Sequence, residues 1–225
     1  MTGELMRKTT AIVLMAYCLT ACVSTKNVPL DVAKLESSKP QSLVVTARGK
    51  PDFSAMTPGK AAFAMLGAAG AISEGNKIVK ENNVEDPANY ISTEVTKVLS
   101  KRFKISSVKR AKKPTQATDA TKLANDYPTG GLIVDVQTIN WSFIYFPTDW
   151  SHFRVIYSAK MRLVDGKSKK MLAEGFCSRV PEKDESSPTK DQLLANSAAR
   201  LKKELQISAG DCVKQLVDNV INVKG

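Results

Sequence analysis

The stretch His152-Phe153-Arg154-Val155-Ile156-Tyr157-Ser158-Ala159-Lys160-Met161-Arg162-Leu163 decides the fold. Phe153, Val155, Tyr157, Ala159, Met161 and Leu163 alternate with mostly polar neighbours. A period of two over this length means a strand with one buried and one polar face. Asp165-Gly166 follows as a hairpin turn, and a further strand runs from Lys170 to about Val180. Upstream, Gly130-Gly131 launches a strand from Leu132 to about Tyr145, which turns at Pro147-Thr148-Asp149 into the alternating one. The region 132–180 is therefore expected to be an antiparallel three-stranded meander.

Helix signals surround it. Thr57-Pro58 and Asp86-Pro87 each place a capping residue before a first-turn proline. The first opens a segment rich in small residues (Ala61 to Ala71), expected to pack closely on the sheet, with a surface or partner-binding helix as the alternative. The second carries the apolar stripe Ile91, Val95, Val98 and Leu99. Ser42 to Thr46 reads as the first strand, and Lys104 to Val108 as another short one. Near the C-terminus, Thr189 and Gln192 form a capping box. A stripe of Leu194, Ala198, Leu201, Leu205, Ser208, Cys212, Leu216 and Val220 follows, with Gly210 expected to bend the helix. The fold class is α+β: a mixed sheet with helices on one face and a long C-terminal helix.

The amino terminus carries a different kind of signal. Arg7 and Lys8 precede an apolar run, Ala11 to Tyr17, too short to span a bilayer. Leu19-Thr20-Ala21-Cys22 then places two small residues before a cysteine. This resembles the signal peptide and lipobox of bacterial prolipoproteins. The resemblance implies cleavage after residue 21, lipidation of Cys22 and an anchor in the envelope membrane. Val23 and Ser24, with no Asp after the cysteine, point to the outer membrane, facing the periplasm. The organisation expected is a signal peptide (1–21), a lipidated Cys and flexible tether (22–41), and one periplasmic domain (42–225).

That location governs the remaining cysteines and the charge. Cys18 leaves with the signal. In an oxidising compartment Cys177 and Cys212 read as a disulfide, whose loop of 35 residues contributes roughly 4 kcal/mol in the chain-entropy picture. A metal site lacks ligands, since the chain has one histidine, and a redox pair wants closer spacing. A net charge of +11 outside the cytoplasm speaks for anionic lipid, lipopolysaccharide or an acidic protein rather than nucleic acid. The densest basic run, read as a loop, makes Lys109, Arg110, Lys112 and Lys113 the candidate anion contacts. Trp141, Tyr145, Phe146 and Trp150 at the first hairpin are the candidate partner-binding aromatics, with core packing as the competing reading.

Catalytic chemistry is not indicated. Gly166-Lys167-Ser168 lacks the earlier glycine of a phosphate-binding loop, because position 161 is Met. His152 has no nucleophile or orienting group in view. No cofactor and no metal are expected. The strand and helix order is similar, in architecture alone, to small envelope assembly lipoproteins. The function expected is that of a non-catalytic, membrane-anchored interaction or assembly module with a protein partner in the envelope. The alternative is binding of lipid or another anionic ligand as an auxiliary part of a transport system.

Overall fold

A computed structural model describes residues 27–128 and 130–222. The signal peptide, the lipobox, Cys22 and the start of the expected tether lie outside the described residues. The elements run α1 (Val32–Ser38), β1 (Ser42–Ala47), β2 (Ser54–Met56), α2 (Pro58–Ala61), α3 (Ala64–Glu81), α4 (Pro87–Phe103), β3 (Ser107–Pro114), α5 (Ala120–Asp126), β4 (Leu132–Phe146), β5 (Asp149–Asp165), β6 (Lys170–Arg179) and α6 (Lys190–Leu216), closed by a π-helical turn, Val217–Ile221. The strands form one mixed sheet in the order β3-β1-β4-β5-β6, with β2 continuing along the β4 edge that β1 occupies lower down. β4, β5 and β6 are the antiparallel meander, while β1 runs parallel to both β3 and β4.

The alternating face of β5 is buried throughout, from Phe153 to Leu163. β4 is less regular. Leu132, Val134 and Val136 face the main core, and so do Trp141 and Phe143. A bulge between Thr138 and Asn140 shifts the pleat by one residue, so the buried positions pass from even to odd numbers. Helices α4 and α6 cover this face. The opposite face is capped by the short α5, whose Leu123 and Ala124 pack on Val44, Ile133 and Val164. The segment before Tyr127 is thus helical enough to cover a second, smaller core.

Three expectations are corrected. Residues 27–41 do not form a free tether. Val28 and Glu174 exchange backbone hydrogen bonds, Leu30 N–H donates to Val220, and Leu30 and Leu35 are buried. Their burial, worth roughly 2 kcal/mol for each leucine, draws the segment onto β6 and the C-terminal turn. The basic run is not a loop either: Ser107–Pro114 is β3, an edge strand paired with β1. Finally, the C-terminal helix does not bend at Gly210. It breaks at Ala195–Ala198, where Asn196, Ser197 and Ala198 take left-handed backbone angles. The break resets the helical phase, so Leu193 rather than Leu194 is buried ahead of Ala198, Leu201 and Leu205. Cys212 on this helix is bonded to Cys177 on β6, Cα to Cα 5.1 Å.

The sheet also buries a charged row that apolar patterning does not reveal. Asp135 on β4 is fully buried. It accepts from Thr46 Oγ1 (2.7 Å), from Arg48 Nε (2.7 Å) and Nη2 (2.6 Å), and from Arg162 Nη1 (2.9 Å). Arg48 also donates to the carbonyls of Thr115 and Ala117, and Arg162 Nε lies 3.5 Å from Glu174 Oε2 on β6. Removing one partner of a buried ion pair strands the others without compensation. Asp135→Asn is expected to cost about 3–5 kcal/mol as a lower denaturant midpoint at unchanged slope. A loss under about 1 kcal/mol, the scale of an exposed pair, would mean the row is not coupled.

Candidate interaction surface

The most exposed apolar side chains sit where α2 meets α3. Phe63 is 71%, Met65 88% and Leu66 82% exposed. Large apolar groups side by side on the surface cost solvation and mark an interaction site when they cluster. The local geometry shows how the chain holds them there. Gly67 permits the close turn: a Cβ at that position would lie 1.7 Å from the Lys60 carbonyl oxygen. Lys60 Nζ and Lys190 Nζ both meet the Glu74 carboxylate, the latter at 2.7 Å. One carboxylate thereby ties α2, α3 and the start of α6. Partial burial pushes the Glu74 carboxyl upward, but the two ammonium groups outweigh it and hold it below the usual range. Further along α3, Gly75 lets the helix touch β2, where a Cβ would lie 2.0 Å from the Phe53 carbonyl oxygen. The small-residue segment therefore packs on the sheet only in its second half. Its first half projects, contrary to expectation.

The aromatics of the hairpin divide. Trp141 is 1% exposed; it packs edge-on against Phe53 at 5.1 Å and its Nε1 donates to the Asp52 carbonyl at 2.9 Å. Phe146 is buried too, under the Arg154 guanidinium. Both are core: the bulge after Thr138 turns odd-numbered Trp141 inward, and a second irregularity between Tyr145 and Phe146 brings the even-numbered Phe146 in. Trp150 alone of the four is largely exposed, at 67%, with the half-buried Tyr145 edge-on to it at 6.4 Å. Trp150 and the α2–α3 corner rise from the same end of the sheet: β2 leaves β4 at Ile144, and Phe146 pairs with Asp149. His152 at this end has its Nδ1 2.7 Å from Asp149 Oδ2, and Lys183 Nζ shares that oxygen at 3.0 Å. Lys183 foremost, then the Ser151 N–H and His152, hold the Asp149 carboxyl down to about 2 against some desolvation. Asp149 thus ties the hairpin turn to Lys183 and orients the His152 ring.

The four basic residues singled out from the sequence lie on β3. Lys109, Lys112 and Lys113 are exposed, and Arg110 donates to Ser92 and Thr93 on α4. A groove of about 370 Å³ between β3 and α4 has Val45 and Val108 on its floor and Lys97 and Arg110 at its rim. No group of three or more metal-ligating side chains occurs among the described residues. None of their helices is long and apolar enough to cross a membrane.

One buried acid remains. Asp86 caps α4, accepting from the Ala88 N–H (2.9 Å) and from Thr138 Oγ1 (2.5 Å), which itself meets the Tyr157 hydroxyl at 2.9 Å. Burial raises the Asp86 carboxyl above its ordinary value of 3.8, and burial with the nearby Asp86 charge raises the Tyr157 phenol. A carboxyl raised in the folded state binds more protons there than in the unfolded chain. Stability from this group is full below 3.8 and falls as pH rises through the raised value. Asp86→Asn keeps a capping oxygen and removes that slope. Thermal melts across this range should show the variant gaining on the wild type as pH rises. A pH-independent difference would contradict the assignment.

No protein-family model matches the chain, and no curated protein sequence is similar to it. Three solved structures align with it loosely. The PelC dodecamer from Paraburkholderia phytofirmans is 10% identical, with a TM-score of 0.37, over 85% of this chain and 92% of that one. A putative neuraminyllactose-binding hemagglutinin homolog from Helicobacter pylori is 10% identical, with a TM-score of 0.34, over 89% of each chain. The lipoprotein GNA1162 from Neisseria meningitidis is 18% identical, with a TM-score of 0.28, over 80% of this chain and 99% of that one. Likeness this distant assigns no activity to the chain.

Proposed function

We propose that this protein is a non-catalytic envelope lipoprotein, anchored through Cys22 at the outer membrane and acting as an interaction module on a protein partner. One observation carries the second half of this reading. Phe63, Met65 and Leu66 are presented together on a corner that Gly67 and the Lys60–Glu74–Lys190 cluster hold in place. A corner serving only the fold would keep these side chains in the core, where each would gain roughly 2 kcal/mol from burial. Trp150 at the same end of the sheet extends the apolar surface. The lipobox resemblance supports the first half. A second reading is the binding of a lipid or another amphipathic anion as part of a transport system. It is favoured by the groove between β3 and α4, with its valine floor and its Lys97 and Arg110 rim.

A photo-crosslinking residue at Met65 in living cells is expected to trap one discrete envelope protein. The trapped band should vanish when Leu66→Glu is added, with the thermal midpoint unchanged, since Leu66 packs on little. Absence of any discrete adduct from Phe63, Met65 and Trp150 alike, in protein that is folded and exported, would overturn the reading.

A further inference from the structure

From the point where the chain enters the fold, we infer that the β5–β6 hairpin end of the domain docks on the anionic headgroups of the bilayer that holds its lipid. The inference rests on the lipid anchor at Cys22. The described chain begins at Asn27, whose side-chain oxygen accepts from the Phe176 N–H, and Val28 then pairs with Glu174. Between Cys22 and Asn27 the fully extended chain reaches only about 18 Å. That is a short strap and not the long leash of a free tether from 22 to 41.

The strap comes close to one end of the molecule and falls well short of the other. Phe176 is level with Lys160 on β5, and Lys160 with Gln137 on β4. From that row to Phe146 at the far end the strand rises about 31 Å, at about 3.4 Å per residue. The α2–α3 corner lies beyond even this, on the β2 side of β4, while the chain enters at β6 on the other side. In the other direction Lys170 is about 20 Å away by the same rise, only about 2 Å beyond the strap's reach, so a modest tilt of the strands brings that end to the bilayer. A bilayer within reach of the strap therefore faces the β6 edge and the hairpin at its lower end, with the exposed apolar corner turned away.

The charge at that lower end fits an anionic surface. Lys167, Lys169 and Lys170 are exposed on the β5–β6 hairpin, Lys39 caps α1 just before β1, and Lys104 caps α4 just before β3. None of the five has an ion-pair partner among the described residues; Lys169 donates to the neutral Asn125 side chain at 2.8 Å. Hairpin geometry explains why they project. Asp165 turns its carboxylate inward to the Lys167 N–H and the Ser168 hydroxyl, leaving the lysines outward. Each lysine near an anionic bilayer adds about fivefold to its attraction. Acting beside an acyl anchor, such groups need only orient the domain and not hold it. Lys112 and Lys113 lie toward the other end of β3, where Pro114 pairs with Ala47 rather than Ser107 with Ser42, and stay away from this surface.

The test uses the full-length acylated protein in vesicles of phosphatidylcholine, with or without phosphatidylglycerol. Brief acetylation is followed by peptide mass spectrometry. Lys167, Lys169 and Lys170 are expected to react several-fold more slowly on the anionic vesicles, with Lys112 and Lys113 unchanged. Equal rates on the two vesicles, or protection of Lys112 and Lys113 instead, would overturn the docking. The same digest reports the mass of the Cys22 peptide. A peptide without acyl groups would overturn the anchor itself. An acylated peptide with unprotected hairpin lysines would overturn the docking alone.

Discussion

The carboxylate of Asp135 is the point on which the sheet depends. It is fully buried and shared by two arginines and a threonine from β1, its flank and β5. The row continues through Arg162 to Glu174 on β6, and Glu174 is the residue that pairs with Val28. A buried charge that loses its partner costs far more than an exposed one. Pairing across this row therefore fixes the register of parallel and antiparallel strands together. It also fixes the height at which the N-terminal segment joins the sheet. With the proposed anchor at Cys22, that height sets where the membrane can lie relative to the domain.

Much of the fold was legible in the sequence where apolar spacing is the only constraint. The alternation of β5 and the capped starts of α4 and α6 were of this kind, as was the pattern that sets Cys177 and Cys212 facing one another. The failures came where a local irregularity changes the spacing. The bulge at Thr138 turns Trp141 and Phe143 inward, and the left-handed turn at Ala195–Ala198 moves the buried leucine by one position. Neither leaves a glycine or proline behind to announce it. The segment 27–41 looked polar because only Leu30 and Leu35 dock, and two leucines make no periodicity.

The candidate surface was less legible. Composition made Trp141, Phe146 and Trp150 equal, but only Trp150 is outside. The basic run was visible as charge, yet charge does not say that Ser107–Pro114 pairs with β1 at the edge opposite the chain's entry. Glycine and alanine usually mean close approach, so composition favours a packed α2–α3 corner over an exposed one. Gly67 does make a close approach, to Lys60, and that contact is what sends Phe63, Met65 and Leu66 outward.

On the proposed reading the domain has two ends with different work: a lysine-bearing end beside the anchor, and an apolar end directed into the periplasm. In the proposed mature form Cys18 is removed and Cys22 acylated; with Cys177 bonded to Cys212, a cysteine introduced elsewhere is then a unique label site. Spin labels at Ser168→Cys and, separately, at Met65→Cys, on acylated protein in bilayers doped with nickel-chelating lipid, measure the orientation most directly. The account predicts strong relaxation by the lipid-bound nickel at position 168 and little at position 65. Equal relaxation at both, or stronger relaxation at 65, would contradict it.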